Sequence, residues 1–280
     1  AVAGDAAGDA PLCRPPLHRK PVVARWVDGS LSNFEYLVLL NEAAGRGNCL
    51  NNDHFVFPWV SDLRSRDGDD HWRDLSKTKF RLNKGDLMLD RTYGASRHHV
   101  PEPGLSALAL CIHLARIAPI SVLRRVVRAN FVAEHYPATV ERLYAWTPDE
   151  ASPEFFCDPS VFRSRHGALR DLGVPGWCAS PEDFVSYHRA LLESDAVSSH
   201  LHAWIDVTFG YALVGAAAVE RKNAPLRERP RSLFDRVDHR APGAAVLFAA
   251  PHPRRAVAPR AACDAAARAA DREKRALEAF

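Results

Sequence analysis

The sequence predicts a mainly α chain, and three observations carry that prediction. Capped helix starts recur along the chain, followed by apolar residues at helical spacing. These helices flank a stretch, residues 48–93, that fits neither a helical nor a strand template. That stretch holds apolar anchors (Phe55, Phe57, Trp59, Trp72, Leu75, Phe80, Leu82) among many charges, which suits an irregular but packed segment better than an open loop. The 280 residues are 47% hydrophobic and 25% charged, so a sizeable core can be buried. A formal charge of +3 decides nothing about nucleic acid.

Residues 1–20 are rich in Ala, Gly, Asp and Pro and are expected to be disordered, with order beginning near Val22. The first helix is expected at 33–44. Ser32 and Glu35 form a capping box, Phe34, Leu37, Val38 and Leu40 supply apolar positions, and Gly45 suits the residue after the helix. Helices are expected again at 105–117, 121–133 and 138–146. Thr147-Pro148-Asp149-Glu150 reads as another capping box with Pro at the first helical position. Ser180-Pro181-Glu182-Asp183 starts a helix in the same way, with Phe184, Tyr187, His188, Leu191 and Leu192 on its apolar face. The last core helix is expected at 197–209, with Leu201, Trp204, Ile205 and Thr208 on one side. Beyond it, residues 221–240 carry seven Arg or Lys against three acids, and residues 241–280 form an Ala-, Arg- and Pro-rich tail, partly disordered.

The longest apolar stretch, 104–123, contains His113, Arg116 and Pro119 and is read as a buried helix, not a membrane span. The first residues lack the basic and apolar regions of a signal peptide. A start at Ala1 without Met suggests a processed, incomplete or excised sequence. Six scattered cysteines (13, 49, 111, 157, 178 and 263), none in a tight pair, are read as free thiols of a reducing compartment.

The chain carries no GxSxG turn and no glycine-rich phosphate loop. His202 and Asp206 share a helix face, but a metal site would need His200 or His188 as a third ligand, and the spacing is not that of HExxH. His98-His99 reads as an exposed loop pair. A Cys–His hydrolase built on Cys157 or Cys178 is the enzyme alternative. Arg73 and Asp74, set among Trp72 and Leu75, suit a pair that ties irregular backbone together through charge-assisted hydrogen bonds. Asn33 and Glu35 read as caps.

Five motifs stand in order: WVDGSLSNFEYLVLLNEAAGRG (26–47), FVFPWV (55–60), RDLSK (73–77), PEFF (153–156) and HRALLESDAVSSHLHAWIDVTFGY (188–211). Together they closely resemble the BEACH family. FRLNKGDLMLDRTY (80–93), HYPATVERLYAWTPDEASPEFFCDPSVF (135–162) and PHPRR (251–255) are similar to its divergent branch with C-terminal WD repeats, associated with endosome maturation and autophagic clearance. Two departures stand out. RTYGASRHHVPEPGLS (91–106) replaces a FHYGTHYS-like stretch, and Asn223-Ala224-Pro225 replaces Asn-Val-Phe.

The resemblance implies a BEACH-like architecture, helices around a core of irregular extended segments, with the domain at 21–240. It implies a non-catalytic scaffold in vesicle, endosomal or autophagic traffic, cytoplasmic and peripheral to those membranes, without cofactor, metal, nucleic acid or small-molecule substrate. Protein partners, and PH-like or WD-repeat modules of a larger parent, would meet a groove or patch built from the irregular segment. Arg73, Asp74, Lys77, His188 and Arg189 are the candidate binding residues. Arg221, Lys222, Arg227, Arg229 and Arg231 are the candidates for a lipid-binding alternative on an anionic membrane surface or acidic partner.

Overall fold

The computed structural model describes residues 19–47, 54–66, 72–226 and 246–256. Disorder is expected of residues 1–20, but residues 19 and 20 belong to a helix; residues 1–18, most of the 241–280 tail, and Arg227, Arg229 and Arg231 lie outside the described residues. Among the described residues there are ten α-helices: α1 Arg19–Val27, α2 Asn33–Ala43, α3 Lys79–Lys84, α4 Asp86–Ser96, α5 Ala107–His113, α6 Ile120–Val126, α7 Val140–Trp146, α8 Pro181–Leu192, α9 Asp195–Thr208 and α10 Gly215–Glu220. Extended pairing is limited there to isolated bridges, such as Phe57 with Ala151 and Ser61 with Trp72. No described helix is long and apolar enough to cross a membrane.

The capping signals at α2 and α8 read correctly. Ser32 accepts from Glu35 N while the Glu35 carboxylate accepts from Ser32 N, and Ser180 caps Asp183 N above Pro181. The third box does not start a helix. Asp149 accepts from Ser106 N, Glu150 N donates to Gly104 O, and Ala151 pairs with Phe57, so tertiary partners claim the groups that a helix would use. The helices expected at 105–117 and 121–133 are shorter, ending at His113 and Val126.

The non-periodic stretch divides in two. Its first part is irregular and buried: Val56, Phe57, Trp59, Val60 and Leu63 are at most 1% exposed and run through the main core between α2, α8 and the 3-10 turns Pro153–Phe156 and Pro159–Phe162. Backbone without a ladder must find other partners, and it does. The Asn41 amide pairs both ways with Val56, accepting from its N–H at 2.9 Å and donating to its carbonyl at 3.0 Å. Trp177 Nε1 donates to Leu63 O, and Arg73 donates to Trp59 O. Asp74 shares this task within its own turn, accepting from Ser76 N, whereas Asn83 donates to Ala145 O outside the stretch. The second part, expected to be buried and irregular, is instead helical and mostly exposed as α3 and α4. These helices carry their apolar residues on few inward positions, so periodicity gives little signal. Gly85, at φ 79° and ψ 152°, separates them in a conformation that L side chains avoid.

Two buried polar hubs lock the helices together. Asn33 is fully buried and bridges four segments. Its Oδ1 accepts from Trp26 Nε1 at 2.8 Å and from Arg255, and its Nδ2 donates to Leu192 O and Ser198 Oγ. It is a hub rather than a cap. Inside the predicted tail, residues 246–256 pack on the domain: His252 N donates to Asp206, its ring bonds the Tyr36 hydroxyl at 2.6 Å, and Ala256 N donates to Val27 O. His99 is buried, not exposed, stacked on Tyr93 with centroids 4.4 Å apart.

Candidate functional site

The irregular segment and α9 form the two walls of an open groove of about 480 Å³. One wall is Val60 and the turn Trp72 to Ser76, and the other is Ala196, Val197, His200 and Ala203. Ala196, His200 and Ala203 recur at spacings of four and three, so they form a stripe on α9. Val197, Leu201, Trp204 and Ile205 point into the core. The groove is open because two of the three stripe residues are alanines.

The turn is held from both sides. Arg73 N donates to Val60 O beside the Ser61–Trp72 bridge. The Asp74 carboxylate accepts from Ser76 N and Ser76 Oγ and pairs with Lys77 Nζ at 3.1 Å. Partial burial alone would raise the Asp74 pKa, but the bonds from Ser76 and Lys77 hold it below the usual carboxylate range. Asp74 is thus a charged, half-exposed acceptor at the rim, and His200 is exposed on the facing helix.

Beneath the rim lies the pin. The Arg73 guanidinium is 1% exposed and makes a two-point pair with Glu150, 3% exposed; Nη2 lies 2.6 Å from Oε1 and Nη1 bonds Oε2. The same guanidinium donates to Trp59 O and Lys77 O. Glu150 also accepts from Lys79 N. The Lys79 ammonium donates to Tyr144 O and Thr147 O and lies 4.1 Å from the Tyr144 ring centre. Burial, with repulsion from Arg73, lowers its pKa to about 8. The partner of Arg73 is therefore Glu150, not Asp74 as the local sequence suggested. A contact 77 residues away leaves no local signal.

The groove gathers Arg73 and Asp74, with Lys77 bonded to the latter, but neither His188 nor Arg189 lines it. His188 is fully buried, stacked on Phe156 with ring centres 4.0 Å apart, and its Nδ1 faces Phe155 O. Burial lowers its pKa to about 4, so it is a neutral core residue that a partner of the folded domain cannot touch. Arg189 lies 3.6 Å from the Phe34 ring centre and 3.7 Å from Glu193, whose carboxylate accepts from the first two N–H groups of α2. Arg221 and Lys222 sit against α3 and α4: Arg221 O accepts from Arg81, and Lys222 pairs with Asp90. Glu150, Ala196 and Ala203 are not read from sequence as residues of the groove or its pin, and His200 enters only as a possible metal ligand. The α9 stripe was legible in principle as the face opposite Leu201 and Trp204.

Neither described thiol of the hydrolase alternative bonds a histidine. Cys157 faces Pro153 O, and burial raises its pKa. Cys178 faces Ser180 O and Asp183, and burial with the Asp183 bond pushes it up to about 11, which disfavours a thiolate. Among the described residues no three His, Cys, Asp or Glu side chains group closely enough to hold a metal ion.

Comparison with known proteins completes the picture. Residues 24–230 match the Beige/BEACH domain family. Protein GFS12 of Arabidopsis thaliana is 47% identical across 82% of this chain, and WD repeat-containing protein 81 of Homo sapiens is 46% identical across 84%. Suppressor of organelle fusion 2 of Caenorhabditis elegans is 40% identical across 82%. The chain spans only 14%, 13% and 16% of the length of those three relatives. The family match covers the irregular core and both walls of the groove, α9 included, and on that footing the chain belongs to the BEACH domain family.

Proposed function

We propose that this domain is a non-catalytic scaffold that docks a protein partner in the groove between residues 72–76 and α9, in the service of membrane traffic. The observation that carries the reading is the groove's construction. Its floor is fixed by a buried ion pair, while its rim offers an ionised acceptor, an exposed imidazole and apolar walls. A rigid concave surface with few polar groups suits docking, because little ordering entropy is lost on binding. The name of the nematode relative, Suppressor of organelle fusion 2, and the similarity to WD repeat-containing protein 81 support the trafficking context and a place beside WD-repeat or PH-like modules. The domain would act at the cytoplasmic face of endosomal or autophagic membranes.

The test fills the groove without touching the core. Ala196→Arg with Ala203→Arg places two long side chains on the stripe. Affinity purification of the full-length parent should then lose the partners that also disappear when residues 26–223 are removed. Retention of all of them by a folded variant would reject the groove as the docking surface.

A further inference from the structure

At the α3–α4 corner, apolar side chains face solvent where the fold could have buried them. Leu87 is 78% exposed, Met88 55% and Leu82 39%. The outward direction is enforced. On α4, Leu89 is 1% exposed and Tyr93, one turn on, stacks on His99, so the inner face is taken. Leu87 and Met88 precede Leu89 and are held outward. Gly85 turns the corner, and nothing lies within 4 Å of where its Cβ would be, so the turn itself is open to solvent.

The charges around this corner are sorted. Both acids are occupied: Asp86 pairs with Arg81 at 2.7 Å, and Asp90 pairs with Lys222. Lys84 and Arg91, which bracket the apolar pair, have no ion-pair partner among the described residues. Arg221 and Lys222 end α10 against the same two helices. The corner therefore presents an apolar tip inside a rim with surplus positive charge.

We propose that the α3–α4 corner is a membrane-contact site that inserts Leu87 and Met88 among anionic lipid headgroups, with Lys84 and Arg91 as the electrostatic rim. Three exposed apolar side chains at this corner fall far short of the roughly 800 Å² per partner that a stable protein interface covers. They suit a bilayer interface, where a small apolar wedge and cations act together. The site goes beyond the docking groove and shares none of its lining residues. A scaffold in membrane traffic would use it to fix its orientation at the surface while the groove holds a protein.

Flotation of the 280-residue chain with phosphatidylcholine vesicles, with and without phosphatidylserine, tests this. Binding is expected only with phosphatidylserine and is expected to weaken with added salt. Leu87→Ser with Met88→Ser should reduce binding roughly tenfold or more, from the lost apolar burial. Lys84→Glu with Arg91→Glu should reduce it by about fivefold or more for each charge. Both variants should melt like the parent chain, since all four side chains are exposed. Ala196→Arg with Ala203→Arg adds positive charge and should not weaken vesicle binding, so failure of the groove and failure of this site are distinguishable. Equal binding to neutral vesicles, no binding at all, or a concentration-dependent dimer dispersed by the Leu87/Met88 variant would overturn the proposal.

Discussion

Replacing Glu150 by Gln should be the most damaging single-charge change in the groove region. The magnitude follows from the contacts. Glu150 accepts from both terminal nitrogens of Arg73 and from Lys79 N, and Arg73 is 1% exposed. Gln offers one acceptor oxygen and turns an N–H group toward a guanidinium that has only donors. The buried cation then stays charged without its counter-ion, and the Lys79 ammonium remains nearby. Breaking a buried pair from one side costs about 3–5 kcal/mol. Asp74→Asn removes an exposed carboxylate whose partner Lys77 is also exposed, which costs at most about 1 kcal/mol. Urea denaturation reads both. With an m-value near 3 kcal/mol/M, Glu150→Gln should lower the midpoint by roughly 1–2 M and Asp74→Asn by a few tenths. Arg73→Leu with Glu150→Leu removes both charges together and should lie closer to wild type than Glu150→Gln alone. If the Glu150→Gln midpoint moves no further than that of Asp74→Asn, the pin described here is not what fixes the turn. Partner binding separates the roles as well: Asp74→Asn should weaken docking in a protein of normal stability.

Trp204→Ala should destabilise the domain by about 3–5 kcal/mol, because the ring is fully buried in the main core; a melting temperature within two degrees or so of wild type would refute that. Asn33→Leu should cost several kcal/mol, since Trp26 Nε1 and Leu192 O lose a buried partner at once, and chemical denaturation would show it. Acid should weaken the fold through its buried histidines. Burial lowers His113 to about 3 and His188 and His252 to about 4, so all three are neutral in the fold but protonate near 6.5 when unfolded. The unfolded chain therefore binds more protons in this window. The contribution of these histidines is complete above about pH 6.5 and is lost as pH falls towards 4, by up to about 1.4 kcal/mol per pH unit for each histidine. Equal urea midpoints at pH 7 and pH 5 would contradict it.

Much of the fold was legible because its signals are local. Ser32 with Glu35, and Ser180 with Pro181, act over one turn, and the α8 and α9 apolar faces repeat at the helical period. The aromatic anchors of residues 55–60 marked a packed segment without regular structure, which the core confirms. What stayed hidden depends on distant partners or on none. Thr147 to Glu150 has a capping sequence, yet Ser106, Gly104 and Arg73 take its polar groups. The α3 and α4 helices are too exposed to need an apolar stripe. Half of the groove was readable as the 73–77 motif; the other half, the stripe Ala196, His200 and Ala203 on α9, shows only as the face opposite Leu201 and Trp204, and its two alanines carry no chemistry that a sequence could advertise.

The packing of residues 246–256 has a mechanical consequence. Ala256 is bonded to Val27, Arg255 reaches Trp26 and Asn33, and Leu247 is bonded to Phe209. This stretch lies beyond the residues that match the family, yet it fastens on α1 and α2 near the start of the domain. Val27 is about 12 Å along α1 from Arg19. Polypeptide arriving at residue 19 and departing at residue 256 therefore attaches on one side of the domain. A pull between its flanks would load this short clasp in peeling, one bond after another, before reaching the interior. The clasp would yield first and add slack before the groove, to which it contributes no lining residue, came under load.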